Sequence, residues 1–201
     1  MPGDFKLLFI LLYLLRLLLA LAPGYVHPDE FFQSPEISAG HVLDVRNWVP
    51  WEYDATYPCR SILFPMASCC LSHIGELIVM AAVDYAIYRI CRLNTQDPWR
   101  PMLVVASSYA VAVYHTRSFS NTIESILIGF VLWSFFDLVR HGLGKRAAPS
   151  YPLVRRTALL GSLMMVGLFA RITMVFFCIP IVLAFCYVVD QRSGRRAAGS
   201  W

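Results

Sequence analysis

The chain has 201 residues, of which 58% are hydrophobic and 15% charged, and its mean hydropathy is +0.57. Soluble domains carry about 25% charged residues, so this composition excludes an ordinary soluble domain. The net charge is +4, but the basic residues cluster between long apolar blocks. That pattern indicates membrane topology signals and no nucleic-acid partner.

The first apolar block covers residues 5–22 and has the length of one membrane-spanning helix. A cleaved signal peptide is the alternative, because Ala20, Leu21 and Ala22 resemble a cleavage site. Pro23 would be the first residue after the cleavage site, where proline disfavours cleavage, and the apolar block is also long for a signal peptide. We therefore predict a retained anchor over residues 1–22.

Further apolar blocks cover residues 61–90, 101–116, 121–139 and 157–189. The last block is too long for one ordinary span, and Arg171 interrupts it near the middle. We therefore predict two short helices that turn at Ala170 and Arg171. The predicted fold is an all-α membrane protein, a multi-span helical bundle of about six spans, with a tail over residues 190–201.

The basic residues predict which face of the membrane each loop occupies. If each block crosses once, twelve lysines and arginines share the side of the N-terminus, and four lie opposite. By the positive-inside rule the N-terminal side is cytoplasmic. The loop of residues 23–60, Arg117 and Arg171 then share the non-cytoplasmic face.

The loop after the first block carries the string "HPDEFFQSPE". A carboxylate of Asp29 or Glu30 near a membrane boundary could serve as a general base. The alternative is a solvated loop, or the acidic first turn of a helix. Ser34, Pro35 and Glu36 look like an N-cap, a helix-starting proline and an acidic first turn, so we interpret Glu36 as structural.

Three arginines stand at the edges of apolar blocks on the predicted non-cytoplasmic face: Arg60, Arg117 and Arg171. A guanidinium suits planar contact with a phosphate, so an anionic substrate would account for them. Snorkelling of the side chains to the interface is the alternative.

Ionisable residues also fall inside the predicted spans, namely Arg16, His73, Glu76, Asp84 and Glu124. Each needs a partner or a wet cavity, because a charge in a bilayer is costly. We expect Asp84 to pair with Arg89 or Arg92, and Glu124 to lie near enough to the polar face to join a site there. A transporter is an alternative, but no inverted repeat is evident. The six cysteines show no zinc-ligand spacing, and we expect no metal site.

The strings "HPDEFFQSPE", "WEYD", "CRSILFP", "TRSFSNTIE" and "FARITMVFFCIP" recur in an order that resembles the dolichyl-phosphate-mannose-dependent mannosyltransferases of glycosylphosphatidylinositol (GPI) anchor and N-glycan assembly. The first and fourth strings look most like the members that add the fourth, side-branching mannose to the GPI precursor. The resemblance covers residues 26–180.

The resemblance implies a multi-pass enzyme of the endoplasmic reticulum membrane with the N-terminal part of a C-type glycosyltransferase fold. It makes residues 23–60 a luminal catalytic loop and residues 61–189 a helical region with basic cytoplasmic loops. It implies mannose transfer from dolichyl-phosphate mannose to a GPI mannose, with inversion and an α-1,2 linkage, without a metal or further cofactor. It assigns catalysis to Asp29 and Glu30. The candidate substrate-binding residues are His27, Arg60, Arg117, Asn121, Glu124 and Arg171.

Two departures from the family pattern leave alternatives open. Members are much longer, so we expect this chain to be an N-terminal portion, and a non-catalytic truncated membrane protein is the competing hypothesis. The stretch between "RSILFP" and "VDYAIYRI" also looks shortened. A related enzyme that adds a different GPI or N-glycan mannose is a further alternative. Membrane lipid is the expected environment, and the sequence identifies no protein partner.

Overall fold

The structure is a computed structural model that describes residues 2–22, 35–54, 56, 61–62, 65–66, 73–94, 96–115, 120–142 and 151–198. Within these ranges the regular elements are helical and none is a strand. The all-α prediction is therefore confirmed for this part of the chain. In chain order the α-helices are α1 (Pro2–Leu21), α2 (Pro35–Leu43), α3 (His73–Leu93), α4 (Trp99–Ala106), α5 (Ser120–Asp137), α6 (Tyr151–Ala170) and α7 (Met174–Ala198).

Three helical stretches are long and apolar enough to cross a membrane: Thr122–His141, Leu153–Ala170 and Met174–Gln191. Only about a fifth of each stretch is buried inside the protein, so their apolar side chains face outward, as expected for helices in contact with lipid. The prediction of six spans is not confirmed. Helix α1 is not among these three stretches, because its apolar run also contains the charged residues Asp4, Lys6 and Arg16.

The helix starts and stops follow local chemistry. Helix α2 begins at Pro35 with Glu36 in its first turn, as predicted. Proline is favourable at the first position because the backbone N–H that it lacks would have no partner within the helix there. The break after Ala170 is also confirmed, with α7 starting at Met174. Both flanking helices are longer than predicted, because they continue into the polar sequence on either side.

The apolar block of residues 101–116 is not one regular helix. Helix α4 ends at Ala106, and a π-helical segment covers Ala110–Tyr114. At the interruption the Ser107 hydroxyl donates a hydrogen bond to the Val104 carbonyl oxygen at 3.2 Å. Serine hydroxyls that bond to the backbone compete with regular helical pairing, which explains why the α-helix is interrupted here.

Helix α5 is central to the packing. It contacts α3, where Gly129 faces Val83 and Ala86, and one turn later the Trp133 ring lies beneath the guanidinium of Arg89. Helices α3 and α5 therefore run in the same direction. Helices α6 and α7 also pack on α5, and their shared core consists of Val131, Leu138, Leu160, Met174, Cys178 and Ile181.

Candidate functional site

The first turns of α5 meet the break between α6 and α7 through Glu124. Its Oε1 accepts a hydrogen bond of 2.6 Å from the Thr173 hydroxyl, and its Oε2 lies 3.6 Å from Nη1 of Arg171. The two charged side chains are 13% and 17% exposed. Opposite charges this close, and largely removed from water, attract each other more strongly than they would in bulk water. Glu124 thus ties three helices together at one polar point.

Local backbone geometry explains why Arg171 and Thr173 converge on this carboxylate. The Arg171 N–H still donates to the Gly167 carbonyl at 2.9 Å, which closes the last turn of α6. The Met174 N–H donates to the Arg171 carbonyl at 3.1 Å, which forms the turn into α7. A tight break of three residues therefore presents both side chains towards α5.

A second polar contact lies beside the first. His115, at the end of the π-helical segment, places Nε2 at 3.2 Å from the Ser125 hydroxyl, and Ser125 adjoins Glu124 in sequence. The His115 Nδ1 is buried without a hydrogen-bond partner among the described residues. The end of the π-helical segment, the start of α5 and the α6–α7 break therefore all place polar groups in one region. We call Glu124, Arg171, Thr173, His115 and Ser125 the polar cluster.

A buried ion pair joins α1 to α3 closer to the middle of the helices. Arg16 Nη1 lies 2.8 Å from Asp84 Oδ2, and the two residues are 1% and 5% exposed. The expectation that Asp84 pairs with Arg89 or Arg92 is therefore wrong: Arg89 instead donates to the Tyr85 hydroxyl at 2.7 Å. Two opposite charges on neighbouring apolar helices were the sequence signal for the true pair.

The structure brings together two of the predicted site residues, Glu124 and Arg171, as described above. Asn121 lies in the first turn of α5, and its side chain is outside the described part. Five further candidates fall outside the described residues, namely His27, Asp29, Glu30, Arg60 and Arg117. The catalytic and binding roles of all eight stay predictions. Sequence reasoning did not select Thr173, His115 or Ser125, although Thr173 follows Arg171 by two residues and Ser125 follows Glu124.

The motif "WEYD" forms a 3-10 turn over Trp51–Tyr53 that ends at Asp54. The Thr56 backbone N–H and hydroxyl both donate to Asp54 Oδ1 at 3.0 Å. These hydrogen bonds favour the carboxylate and lower the pKa of Asp54 below its usual value. The motif therefore has a structural role in ending this turn. Among the described residues no group of three or more potential metal ligands occurs.

A helical fold rich in outward-facing apolar side chains, with a buried ion pair between two of its helices, defines a multi-helix membrane protein. The sequence model of the Alg9-like mannosyltransferase family matches residues 7–78 and 71–196, and the chain belongs to this family. The two matches meet at residues 71–78, within the stretch predicted to be shortened.

Two relatives show how far the similarity extends. The GPI alpha-1,2-mannosyltransferase 4 of Homo sapiens is 33% identical, with 93% of this chain and 36% of that protein covered. The GPI mannosyltransferase 4 of Aspergillus oryzae is 30% identical, with 86% of this chain and 35% of that protein covered. The chain thus spans about a third of the length of these relatives. No solved structure matches it significantly.

Proposed function

We propose that this chain carries the N-terminal, catalytic part of an inverting mannosyltransferase of GPI-anchor assembly. It would transfer the fourth, side-branching mannose from dolichyl-phosphate mannose to the GPI precursor, in α-1,2 linkage. The relatives named GPI mannosyltransferase 4 support the reaction class and the acceptor. The sequence motifs support the donor, which serves as co-substrate without a metal or further cofactor.

The polar cluster is the observation that carries this proposal within the described structure. A guanidinium beside a carboxylate that is itself fixed by a hydrogen bond from a hydroxyl is suited to bind an oxyanion. The departing dolichyl phosphate is such a group, and Arg171 would stabilise its charge. Glu124 would orient Arg171, and Asn121, Arg60, Arg117 and His27 would complete substrate binding.

The nucleophile in this reaction is a mannose hydroxyl of the acceptor, which needs a base. We assign that role to Asp29 with Glu30 beside it, because an inverting transfer proceeds by a single displacement that requires one base at the acceptor side. Both residues belong to the loop that follows α1. The proposed site would therefore form between this loop and the polar cluster.

The location that we propose is the luminal face of the endoplasmic reticulum membrane. The distribution of basic residues supports it, because it puts residues 23–60, the start of α5 and the α6–α7 break on the same non-cytoplasmic side. Residues 1–22 would form the anchor, residues 61–189 the helical membrane region and residues 190–201 a cytoplasmic tail.

The test is expression of this chain in cells that lack the enzyme for the fourth mannose, followed by analysis of the GPI precursors. We expect the parent chain to restore the four-mannose precursor and Asp29→Asn to abolish it. Asp44→Asn is the matched control: Asp44 has a φ of 51°, and asparagine tolerates this left-handed conformation well.

Two outcomes would contradict the proposal. Restoration by Asp29→Asn would remove the assigned base. Failure of the parent chain, when it is stable and inserted in the membrane, would favour the non-catalytic alternative. A product that carries the new mannose at another position would instead assign the chain to a different mannosyltransferase of this family.

A further inference from the structure

A cavity lies at the opposite end of the helices from the polar cluster. It has a volume of about 600 Å³ and forms between the first turns of α1, the end of α3 and the start of α4. Its lining includes Lys6, Tyr88, Arg92, Asp97 and Trp99. The helices α3 and α5 run in the same direction, and Glu124 lies near the start of α5 whereas Arg92 lies at the end of α3. The cavity and the polar cluster are therefore separate sites.

Trp99 forms a fixed aromatic wall of this cavity. Its ring meets the Phe9 ring edge-on, with centroids 6.3 Å apart, and the ammonium of Lys6 lies 5.6 Å from its centroid. Its backbone N–H donates to Asp97 Oδ1 at 3.3 Å. The contacts from α1 thus hold the ring, and the bond to Asp97 holds its backbone. A tryptophan at such a helix end is typical of the membrane–water interface.

The charge of the cavity is positive. Lys6 and Arg92 come from helices far apart in sequence, yet both line it, and among the described lining residues Asp97 supplies the one carboxylate. Asp97 already accepts the Trp99 N–H. Two cations beside one carboxylate favour an anionic ligand, and the Arg92 guanidinium suits phosphate in particular.

The apolar surface next to the cavity indicates that the anion carries acyl chains. On α1, Ile10 and Leu14 follow Lys6 by four and eight residues, which places them on the same face of the helix, and their side chains are 54% and 49% exposed. A lipid with its headgroup in the cavity could lay its chains along this surface, whereas a small soluble anion would leave the surface uncovered. The volume lies within the usual range for ligand sites.

We propose that this cavity binds the phosphate headgroup of an anionic membrane phospholipid. Arg92 and Lys6 would contact the phosphate, Trp99 would pack against the glycerol region, and the chains would follow α1. Under the topology proposed above the lipid would belong to the cytoplasmic leaflet. The site does not depend on the proposed transferase activity.

The experiment is titration of the delipidated, detergent-purified chain with phosphatidylserine, followed by native mass spectrometry. The same titration with phosphatidylcholine gives the baseline. Lys6→Gln and Arg92→Gln remove one cation each, and Arg100→Gln is the matched control, because Arg100 is exposed in the first turn of α4 but does not line the cavity. Each variant is first compared with the parent by thermal unfolding.

We expect phosphatidylserine to bind more tightly than phosphatidylcholine. Each cavity variant should raise the Kd for phosphatidylserine about fivefold, and the double variant about 25-fold. This follows because each basic residue contributes about 1 kcal/mol to the binding of an anionic lipid. Equal binding of both lipids, or an equal loss in Arg100→Gln, would overturn the proposal. Full displacement of the lipid by millimolar inorganic phosphate would also overturn it, because the site would then recognise a free anion.

Discussion

Arg16 of α1 and Asp84 of α3 form an ion pair of 2.8 Å in which both side chains are almost completely buried. Among the described residues, Arg16 Nε and Nη2 and Asp84 Oδ1 have no hydrogen-bond partner. Each charge is therefore compensated by little other than the opposite charge. Since α1 ends at Leu21, five residues after Arg16, this pair also fixes the helix that leads into the acidic loop.

The first prediction concerns this pair. Asp84→Leu should lower the free energy of unfolding by about 3–5 kcal/mol, because it leaves the Arg16 charge buried and unpaired. Arg16→Met together with Asp84→Leu should recover most of the loss, because both charges are then absent. Thermal unfolding can be followed by labelling the buried thiols of Cys91 and Cys178. A double variant as unstable as the single one would contradict this account.

The second prediction separates a role in the site from a structural role for Glu124. Glu124→Gln keeps an oxygen that can accept the Thr173 hydroxyl but removes the charge beside Arg171. We expect mannose transfer to fall about tenfold or more, equivalent to about 1.4 kcal/mol of transition-state stabilisation, with little change in unfolding temperature. Thr173→Val is the comparison variant, because it removes the hydrogen bond and keeps the charge pair. If activity follows stability equally in both variants, Glu124 only joins the helices.

The third prediction uses two glycines of α6. A Cβ on Gly167 would lie 2.7 Å from Cγ of Met174, a fully buried side chain next to the α6–α7 break, whereas a Cβ on Gly161 meets nothing within 4 Å. Gly167→Ala should therefore destabilise the protein by about 1–3 kcal/mol through overpacking. Gly161→Ala should be neutral or stabilise it by up to about 1 kcal/mol. The same thiol-labelling assay compares them, and equal effects would show that Met174 can move aside at no cost.

The fourth prediction concerns the pKa of Asp54. Thr56→Val removes the side-chain hydrogen bond to the carboxylate and keeps the backbone one, so the pKa should rise part of the way to its usual value. Because the pKa is lowered in the folded protein, the stabilisation is present above the usual pKa of aspartate and is lost as the pH falls through the lowered value. Carboxyl carbon NMR shifts of labelled aspartate measure it. Thr157→Val removes a hydroxyl that donates to the Leu153 carbonyl, and it should leave the titration unchanged.

Features set by local sequence were the most predictable. Pro35 starts α2, and Arg171 ends the apolar run of α6, because a proline or a charge acts on its own helix. The contact between Glu124 and Arg171 follows from the prediction that both residues lie at helix ends on the same face of the membrane. The partner of Asp84 was not predictable from nearby residues, because contacts within α3 compete with Arg16 on another helix. The interruption of the helix at Ser107 was also missed, because a hydropathy average classes the block as apolar and does not register the hydrogen bond of one hydroxyl to the backbone.

The central claim is that this chain transfers mannose with Asp29 as the base. The most direct measurement incubates membranes that contain the parent chain, Asp29→Asn or Asp44→Asn with labelled dolichyl-phosphate mannose and a three-mannose GPI precursor. An α-1,2-specific mannosidase then reads the linkage. We predict a labelled, mannosidase-sensitive GPI product from the parent and from Asp44→Asn, and none from Asp29→Asn. Label transfer by Asp29→Asn at the parent rate, or a product that resists the mannosidase, would contradict the account.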